Sequence, residues 1–554
     1  MSRARQLTGL LLLALSASAC DSNTGPGSDK QTNWLRACEI DSQCGASMRC
    51  RCGACTRTCD SEASCQGLSG SSCVPATDRG SIALCGGDES SDPGLCLPSC
   101  ADSPCNTGQM CVAGKCQPLP MATAHVAIDT TVHHQTLTGF GATVGYAEDA
   151  ITHHPQKAAL YRAMFADLGL DVLRFRNRYG YAGADDLSSA SEIATQATIS
   201  LGRPATLLLT SWSPPATLKA NASQTCQGNF DTCTLVQAPG GGFDYASYAN
   251  YWRSSLDAYA ELGFAPDYIG IQNNPDWVPS SVEIFEACKF LPKEGTQTTT
   301  VNGVELQVRY PGYDEALSAV VGELAGLSVQ PKIVAPEVTA AGLVAGYIEN
   351  LDLSHVDAIG HHLYGTDPTT LDPTASLRAL QTLGQHSARP LFQTEMQADG
   401  FGTALLLHDT LVLEGAALYV QTSLIGPAAS PGLDPTALIT LGASDYTLEA
   451  PYYAVRQYSA FTDPGWVRVE APSDAPELLS SGWSSPDGTA LTVVVLNVGR
   501  TSIATELELG AFDTSRVIRT VFDGVERTQE LGPLPIENIV QVPGRSIVTV
   551  TLTR

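Results

Sequence analysis

Two short stretches place carboxylate and amide side chains directly after runs of apolar residues. The first is Gln272-Asn273-Asn274-Pro275-Asp276, and the second is Phe392-Gln393-Thr394-Glu395. An ionised carboxylate is costly to bury, so an acid at the end of an apolar run is expected at a solvent-facing edge and not in a core. Carboxylates in such places can attack a substrate or transfer protons. We therefore predict that the two stretches form the functional site, and a structural ion pair is the alternative.

The elements that would position these stretches alternate between apolar strand-like runs and amphipathic helices. Apolar residues recur at three- and four-residue spacing over 158–168, 245–262 and 313–327. This alternation predicts a (β/α)8 barrel with insertions, whose site lies where the strands end at their C-terminal face. An open doubly wound sheet is the alternative, but no glycine-rich phosphate loop follows an early strand. The predicted strands are 137–141, 172–175, 206–212, 268–272, 332–335, 356–362, 390–395 and 416–420.

From about residue 462 the helical period is lost, and runs such as 490–496 and 546–550 indicate an all-β appendage. Residues 123–136 are also strand-like, so we expect them to contribute to the same side domain. The predicted organisation is a signal peptide over 1–19, a tether over 20–37, a disulfide-rich module over 38–118, side-domain strands over 123–136, the barrel over 137–461 and the β side domain over 462–554.

Several short strings, in order along the chain, resemble glycoside hydrolase family 30, whose catalytic glutamates lie on barrel strands four and seven. The resemblance covers about residues 130–554, and it is closer to the xylan-acting members than to the glucosylceramidase-like ones. Together the strings are far more specific than any one alone. They are Thr138-Gly139-Phe140-Gly141-Ala142, Thr210-Ser211-Trp212-Ser213-Pro214-Pro215-Ala216, Gln272-Asn273-Asn274-Pro275-Asp276-Trp277, Gly360-His361-His362-Leu363-Tyr364-Gly365-Thr366, Gln393-Thr394-Glu395, and the run from Tyr458 to Val469.

The resemblance implies a retaining hydrolase of β-linked sugars, in which one carboxylate attacks the anomeric carbon and a second group donates and reclaims a proton. Glu395 matches the nucleophile, and Asn273 matches the residue that hydrogen-bonds the sugar hydroxyl beside the reacting carbon. The sequence departs from the family at Asn274, where the pattern has the glutamate that acts as general acid and base. An amide cannot perform that role. Either another acid, such as Asp276 or His361, replaces it, or cleavage is slowed by about 10²–10⁴-fold.

Four further residues have substrate-binding or positioning roles by the same resemblance. Tyr364 would orient Glu395 from strand six, and His362 shares the face of Tyr364 because side chains alternate along a strand. Trp212 would offer an aromatic wall to a sugar ring, and Arg174 would lie beneath Glu395 as its charge partner. For Trp212, Arg174 and His362, ordinary barrel packing is the alternative.

Cysteine usage divides the chain, because fourteen of the eighteen cysteines lie within 38–118. Behind an export signal, a dense and even set of cysteines in a segment with few large apolar residues predicts a disulfide framework. Zinc is the alternative, but the segment has no histidine. Cys226 and Cys233 are predicted to close the loop after strand three, and Cys288 has no evident partner. No motif indicates a metal or a cofactor.

The N-terminus has the features of an export signal. Basic Arg3 and Arg5 precede an apolar run from Leu7 to Leu15, which is too short to span a bilayer. Small residues then lead to Cys20, as in a bacterial lipobox, so we predict that Cys20 is lipidated and anchors the protein to a membrane. An ordinary signal peptide, with Cys20 in a disulfide, is the alternative.

The formal net charge of −26 argues against nucleic acid and anionic membrane surfaces as partners, because each contact would begin with repulsion. We therefore predict an extracytoplasmic, lipid-anchored glycosidase of the bacterial cell envelope or surface, which acts on a polysaccharide or oligosaccharide such as xylan. A polysaccharide-binding protein on a disabled glycosidase scaffold is the main alternative. A third possibility is that the cysteine-rich module binds a protein partner.

Overall fold

The structure, a computed structural model, describes most of the chain beyond residue 122 and part of it before. Two compact units contain the described residues, one within 42–118 and the other within 123–554. Cys20, with the predicted signal peptide and tether, lies outside them. No helix among the described residues is long and apolar enough to cross a membrane. The described residues are 42, 44, 48–51, 54–66, 68, 71–74, 94–98, 109–112, 115–118, and 123–554 without 182–186, 281–282, 284, 302–303, 365–373, 427–434, 523–527 and 535–537.

The first unit contains short antiparallel strands and disulfides, as the predicted disulfide framework requires. Cys59, Cys65 and Cys96 lie close enough together to suggest a metal site. Each is oxidised, however, and therefore offers no thiolate to a metal. The disulfides of the described residues here are Cys44–Cys55, Cys59–Cys73 and Cys65–Cys96. The strands are Arg49–Arg51, Ala54–Thr56, Thr58–Cys59, Ser71–Val74, Gly94–Pro98, Gln109–Val112 and Lys115–Pro118.

The second unit contains a closed barrel of eight parallel strands within its described residues, so the predicted (β/α)8 fold class is confirmed. Each strand pairs with the next, and the last pairs with the first. The strands are β1 (Gly139–Thr143), β2 (Val172–Arg176), β3 (Thr206–Thr210), β4 (Tyr268–Gly270), β5 (Lys332–Val338), β6 (Ala358–His362), β7 (Leu391–Met396) and β8 (Leu418–Gln421). The α-helices are Glu148–Thr152, Lys157–Tyr161, Ser188–Leu201, Tyr245–Glu261, Tyr313–Leu324, Ala341–Ile348, Thr374–Ser387, Gly400–His408 and Ala450–Ser459.

Strand alternation separates the barrel interior from its helical coat, as β2 illustrates. Leu173 and Phe175 belong to the large apolar cluster shared with the helices, whereas Val172 belongs to the small inner cluster. Because residues two apart share a face, Arg174 and Arg176 follow Val172 on the inner side, toward the C-terminal ends of the strands. The interior is therefore apolar at the bottom and polar near the mouth.

The strand β5 is three residues longer than predicted. The predicted strand ends at Ala335, and the next residue, Pro336, lacks the amide that a central strand needs. The strand instead continues to Val338, with an irregularity in its pairing to β6 between Pro336 and Val338. Glu337 lies at this irregularity with a φ of 56°. The extension brings a carboxylate into the barrel that the sequence analysis did not identify.

The β side domain contains a seven-stranded and a three-stranded sheet in the described part of the chain. Asp129–Thr136 pairs with Val467–Glu470, and Ala124–Ala127 pairs with Ile503–Glu508, so strands from before the barrel join strands from after it. Alternating residues such as Leu491, Val493 and Val495 fill the core of this domain. Its other strands are Leu478–Ser484, Ala490–Asn497, Asp513–Val521, Gln529–Gly532, Ile539–Val542 and Ser546–Thr553.

Candidate active site

Glu395 lies near the end of β7, at the mouth of the barrel, and both of its carboxylate oxygens are held. Arg174 Nη1 donates to Oε2 at 2.8 Å, and the Tyr364 hydroxyl donates to Oε1 at 3.0 Å. The residue is 8% exposed, so it is reachable from the mouth but mostly enclosed. The two contacts come from β2 and from the end of β6. They fix the orientation of the carboxylate before any substrate binds.

Arg174 links the strands around this carboxylate. It is fully buried, and its Nη2 donates to Asn273 Oδ1 at 2.7 Å and to Glu337 Oε1 at 3.0 Å. Its guanidinium carbon lies 4.5 Å from the centre of the Trp212 ring. Only a planar guanidinium can serve several acceptors in different directions while stacking on an aromatic face. The structure thus brings together Arg174, Asn273, Trp212 and Glu395, which the sequence analysis had selected.

Glu337 is the partner that the sequence analysis missed. Its side chain has no exposed surface, and Oε2 accepts a hydrogen bond from Thr210 Oγ1 at 3.2 Å. Burial raises the pKa of Glu337, and the ion pair with Arg174 opposes that rise. Glu337 therefore balances the charge of Arg174 from below the site. The available signal was an acid two residues beyond the predicted end of β5. Pro336, which lies between them, is a residue at which central strands usually end.

Asn274 lies beside His362 at the mouth, with its backbone in the left-handed region at a φ of 47°. Asn274 Oδ1 lies 2.8 Å from His362 Nδ1. Burial, together with the positive charge of Arg174, holds the pKa of His362 well below its usual range, so this imidazole is neutral. The family's acid/base position thus has an amide and a neutral histidine, and neither supplies a carboxylic proton.

The two residues proposed from the sequence as replacement acids are engaged by partners other than Glu395. Asp276 accepts hydrogen bonds from the backbone and hydroxyl of Thr339 and lines a cavity of about 300 Å³ with Lys289 and Tyr347. His361 lies on the face of β6 opposite to His362, and its Nε2 is 3.0 Å from Glu414 Oε1 with both side chains fully buried. Thr339 therefore engages both carboxylate oxygens of Asp276, and His361 is turned to the helical side of the barrel wall.

Cys226 and Cys233 form a disulfide in the loop after β3. Both sulfurs lie near the carbonyl oxygen of Ala287, at 3.3 and 3.7 Å, so this loop contacts the one that follows β4. Cys288 is a free, buried cysteine in the same place. Among the described residues of the barrel, none of these cysteines lies in a group with metal-binding geometry.

Comparisons with known proteins agree with this architecture. No family model matches the chain. The chain is 23% identical to Putative glucosylceramidase 1 of Caenorhabditis elegans over 425 residues. This alignment covers 69% of this chain and 77% of that protein. The catalytic domain of family 30 xylanase C from Talaromyces cellulolyticus superposes with a TM-score of 0.60 at 17% identity, over 78% of this chain and all of that one. A family 30 subfamily 8 xylanase from Clostridium acetobutylicum gives 0.58 at 19% identity with the same coverage.

The barrel, the β side domain and the carboxylate at the end of β7 place the protein among the (β/α)8 barrels with an attached β domain. Within that class, the chain has the fold of the glycoside hydrolase family 30 proteins to which it is similar. The resemblance to family 30 found in the sequence is therefore confirmed at the level of the fold.

Proposed function

We propose that the protein is an O-glycosyl hydrolase that cleaves β-linked glycans by a retaining mechanism, with Glu395 as the nucleophile. The observation that carries this proposal is the Glu395 carboxylate, held at the barrel mouth by Arg174 and Tyr364 at 2.8 and 3.0 Å. A nucleophile must be oriented before attack, and enclosed donors on both oxygens achieve that.

The proposed reaction has two steps. In the first, Glu395 attacks the anomeric carbon, the bond to the leaving sugar oxygen breaks, and a covalent glycosyl-enzyme forms. In the second, water attacks the same carbon and releases Glu395. Asn273 would hydrogen-bond the hydroxyl beside the reacting carbon through its amide nitrogen, because its Oδ1 already accepts from Arg174. Tyr364 would keep its hydrogen bond to the oxygen of Glu395 that does not attack.

We favour a xylan-type polysaccharide as substrate because two similar structures are named as family 30 xylanases. The curated relative is instead named for glucosylceramide, which makes a β-linked glycolipid the other substrate class to test. Lipidation of Cys20 would hold the enzyme at the cell envelope, with the disulfide-rich module as a spacer or as a contact for a protein partner.

A second candidate function, polysaccharide binding without cleavage, is favoured by one observation. Asn274 occupies the place of the acid/base glutamate and has a neutral histidine as its neighbour. Without a proton donor, an unactivated glycoside would still bind, but its cleavage would be about 10²–10⁴-fold slower.

Two assays distinguish these functions. Release of reducing sugar from xylan and other β-glycans measures hydrolysis, and affinity electrophoresis measures binding of the same polymers. Hydrolysis by the wild type, abolished in Glu395→Gln with binding retained, would support the hydrolase. Binding without hydrolysis in both proteins would support the second candidate, and equal hydrolysis by both would remove Glu395 as nucleophile.

A further inference from the structure

A second arginine of β2 holds another carboxylate at the barrel mouth. Arg176 Nη1 lies 2.6 Å from Oε1 of Glu286, a residue of the loop that follows β4. Arg174 and Arg176 are two residues apart on one strand face, a step of about 6.6 Å. Arg174 binds Glu395 and Arg176 binds Glu286, so the two carboxylates are held by arginines at successive positions of the same strand face.

Aromatic residues tie Glu286 to the candidate active site. The Tyr181 hydroxyl lies 3.2 Å from Glu286 Oε2 and 2.7 Å from the carbonyl oxygen of Ser213, the residue after Trp212. The ring of Tyr146 lies 4.0 Å from the guanidinium carbon of Arg176. The charges of Glu286 and Glu395 both raise the pKa of the Tyr146 hydroxyl, in addition to the larger effect of its burial. Glu286 therefore belongs to the same cleft as Glu395.

The segment that carries Glu286 is held in place by the disulfide-closed loop. The Lys289 amide donates to the Cys233 carbonyl at 2.9 Å, and the Ala287 amide donates to the Gln224 carbonyl at 3.3 Å. Lys219 Nζ, itself buried, also donates to the Ala287 carbonyl. These contacts fix the backbone on the C-terminal side of Glu286, so its carboxylate is positioned before substrate binds.

Glu286 is partly exposed and has a raised pKa, and both properties favour a proton donor. Its side chain is 12% exposed, whereas Glu337 has no exposed surface. Burial raises the pKa of Glu286, and Arg176 opposes the rise without cancelling it. Glu148 lies near Arg176 and Arg178 but is only 2% exposed. Glu286 is thus, besides Glu395, a carboxyl group of this cleft with surface that a glycosidic oxygen can approach.

We propose that Glu286 is the general acid and base of the reaction, in the role that Asn274 cannot fill; this inference rests on the proposed hydrolase function. As Glu395 attacks the anomeric carbon, the carboxylic proton of Glu286 moves to the glycosidic oxygen, which leaves as an alcohol. The resulting Glu286 carboxylate then takes a proton from the water that attacks the glycosyl-enzyme. One proton is given and one is recovered, so the cycle is balanced.

The test compares Glu286→Gln with Glu283→Gln on two substrates, 2,4-dinitrophenyl β-xylobioside and unsubstituted xylo-oligosaccharides. Dinitrophenolate leaves without a proton, whereas a sugar alcohol requires one. Glu283 is a matched control, because it lies on the same loop and accepts a hydrogen bond from the Ser280 amide. We expect Glu286→Gln to lose about 10²–10⁴-fold in kcat/KM on the oligosaccharides and less than tenfold on the aryl substrate. Glu283→Gln should change neither value.

A second variant, Glu286→Ala, makes the test independent of one substitution. Azide should attack the glycosyl-enzyme without a base, accelerate release from the aryl xylobioside and produce a β-glycosyl azide. Two results together would overturn the role of Glu286 without touching that of Glu395. The first is that Glu286→Gln loses kcat/KM equally on both substrates or on neither, and the second is that Glu286→Ala gives no azide product. A wild type inert on both xylosides and on 2,4-dinitrophenyl β-glucoside, which represents the other substrate class, would overturn the hydrolase function and this inference with it.

Discussion

Nδ1 of His362 lies 2.8 Å from Oδ1 of Asn274, and the oxygen of an amide can only accept. The proton on His362 is therefore on Nδ1, and a carboxylate at position 274 could accept the same hydrogen bond. The site is thus compatible with the glutamate that family 30 has there, although this chain has an asparagine.

This compatibility predicts that Asn274→Glu can replace the function we assign to Glu286. In a Glu286→Gln background, adding Asn274→Glu should raise kcat/KM on xylo-oligosaccharides by at least about tenfold, since general acid catalysis contributes about 10²–10⁴-fold. Asn274→Gln in the same background is the size-matched control and should give no gain. Steady-state kinetics on both double variants measures the effect, and equal rates would contradict the prediction.

The left-handed backbone at residue 274 adds a stability cost that the same variants can report. Asparagine tolerates that region better than other residues with a side chain, which pay about 1–2 kcal/mol there. Asn274→Glu and Asn274→Gln should therefore both lower the free energy of unfolding by about 1 kcal/mol relative to wild type. Denaturant titration checks this, and a stabilised Asn274→Gln would contradict it.

Removal of Arg174 should be costly because it leaves charge buried. Arg174→Met would leave Glu337 fully buried without its counterion and Glu395 without its charge partner, so unfolding free energy should fall by about 3–5 kcal/mol. Arg516→Met is the control, because Arg516 and Glu530 form an exposed pair that contributes about 1 kcal/mol or less. Equal losses in urea denaturation would show that Arg174 does not neutralise these carboxylates.

Asp409 should make stability fall as pH rises. The residue is 5% exposed, and burial raises its pKa to about 8 in the folded protein. In the unfolded chain its pKa is about 3.9, so the folded state binds more protons between these values. From pH 5 to pH 8 stability should therefore drop, and Asp409→Asn should reduce that drop by up to about 4 kcal/mol. Glu148 and Asp171, whose pKa values burial raises to about 7, contribute the remainder of the drop.

Asp487→Asn is the control for this measurement. Hydrogen bonds, the largest from Ser485, lower the pKa of exposed Asp487 to about 2. Its contribution is complete above the unfolded pKa and is lost only in acid, so the slope between pH 5 and pH 8 should not change. A wild-type slope retained in Asp409→Asn would refute the assignment to Asp409.

The barrel could be predicted because its strands are buried on both sides and appear as mainly apolar runs, such as Val172-Leu173-Arg174-Phe175. Between these runs, apolar residues recur at the three- and four-residue spacing of helices. The resemblance also placed Arg174 and Tyr364 beside Glu395, where the structure has them at hydrogen-bonding distance. Residues at strand ends have positions fixed by the fold itself. A sequence can therefore predict which of them meet.

Glu337 and Glu286 could not be assigned in this way, for different reasons. Glu337 follows a proline that normally ends a central strand, and only the pairing of β5 with β6 shows that the strand continues. Glu286 lies in a long loop, and its place depends on contacts with the loop closed by Cys226 and Cys233. Such contacts between insertions leave no periodic pattern in the sequence.

The central claim, that Glu395 is the nucleophile of a retaining hydrolase, is tested most directly by trapping the glycosyl-enzyme. Incubation with 2,4-dinitrophenyl 2-deoxy-2-fluoro-β-xylobioside, followed by proteolysis and mass spectrometry, locates the attached sugar. We predict one fluoroglycosyl unit on the peptide that contains Glu395, and none on that peptide from Glu395→Gln. A label on another carboxylate, or turnover of the unfluorinated aryl xylobioside without any label, would contradict the claim.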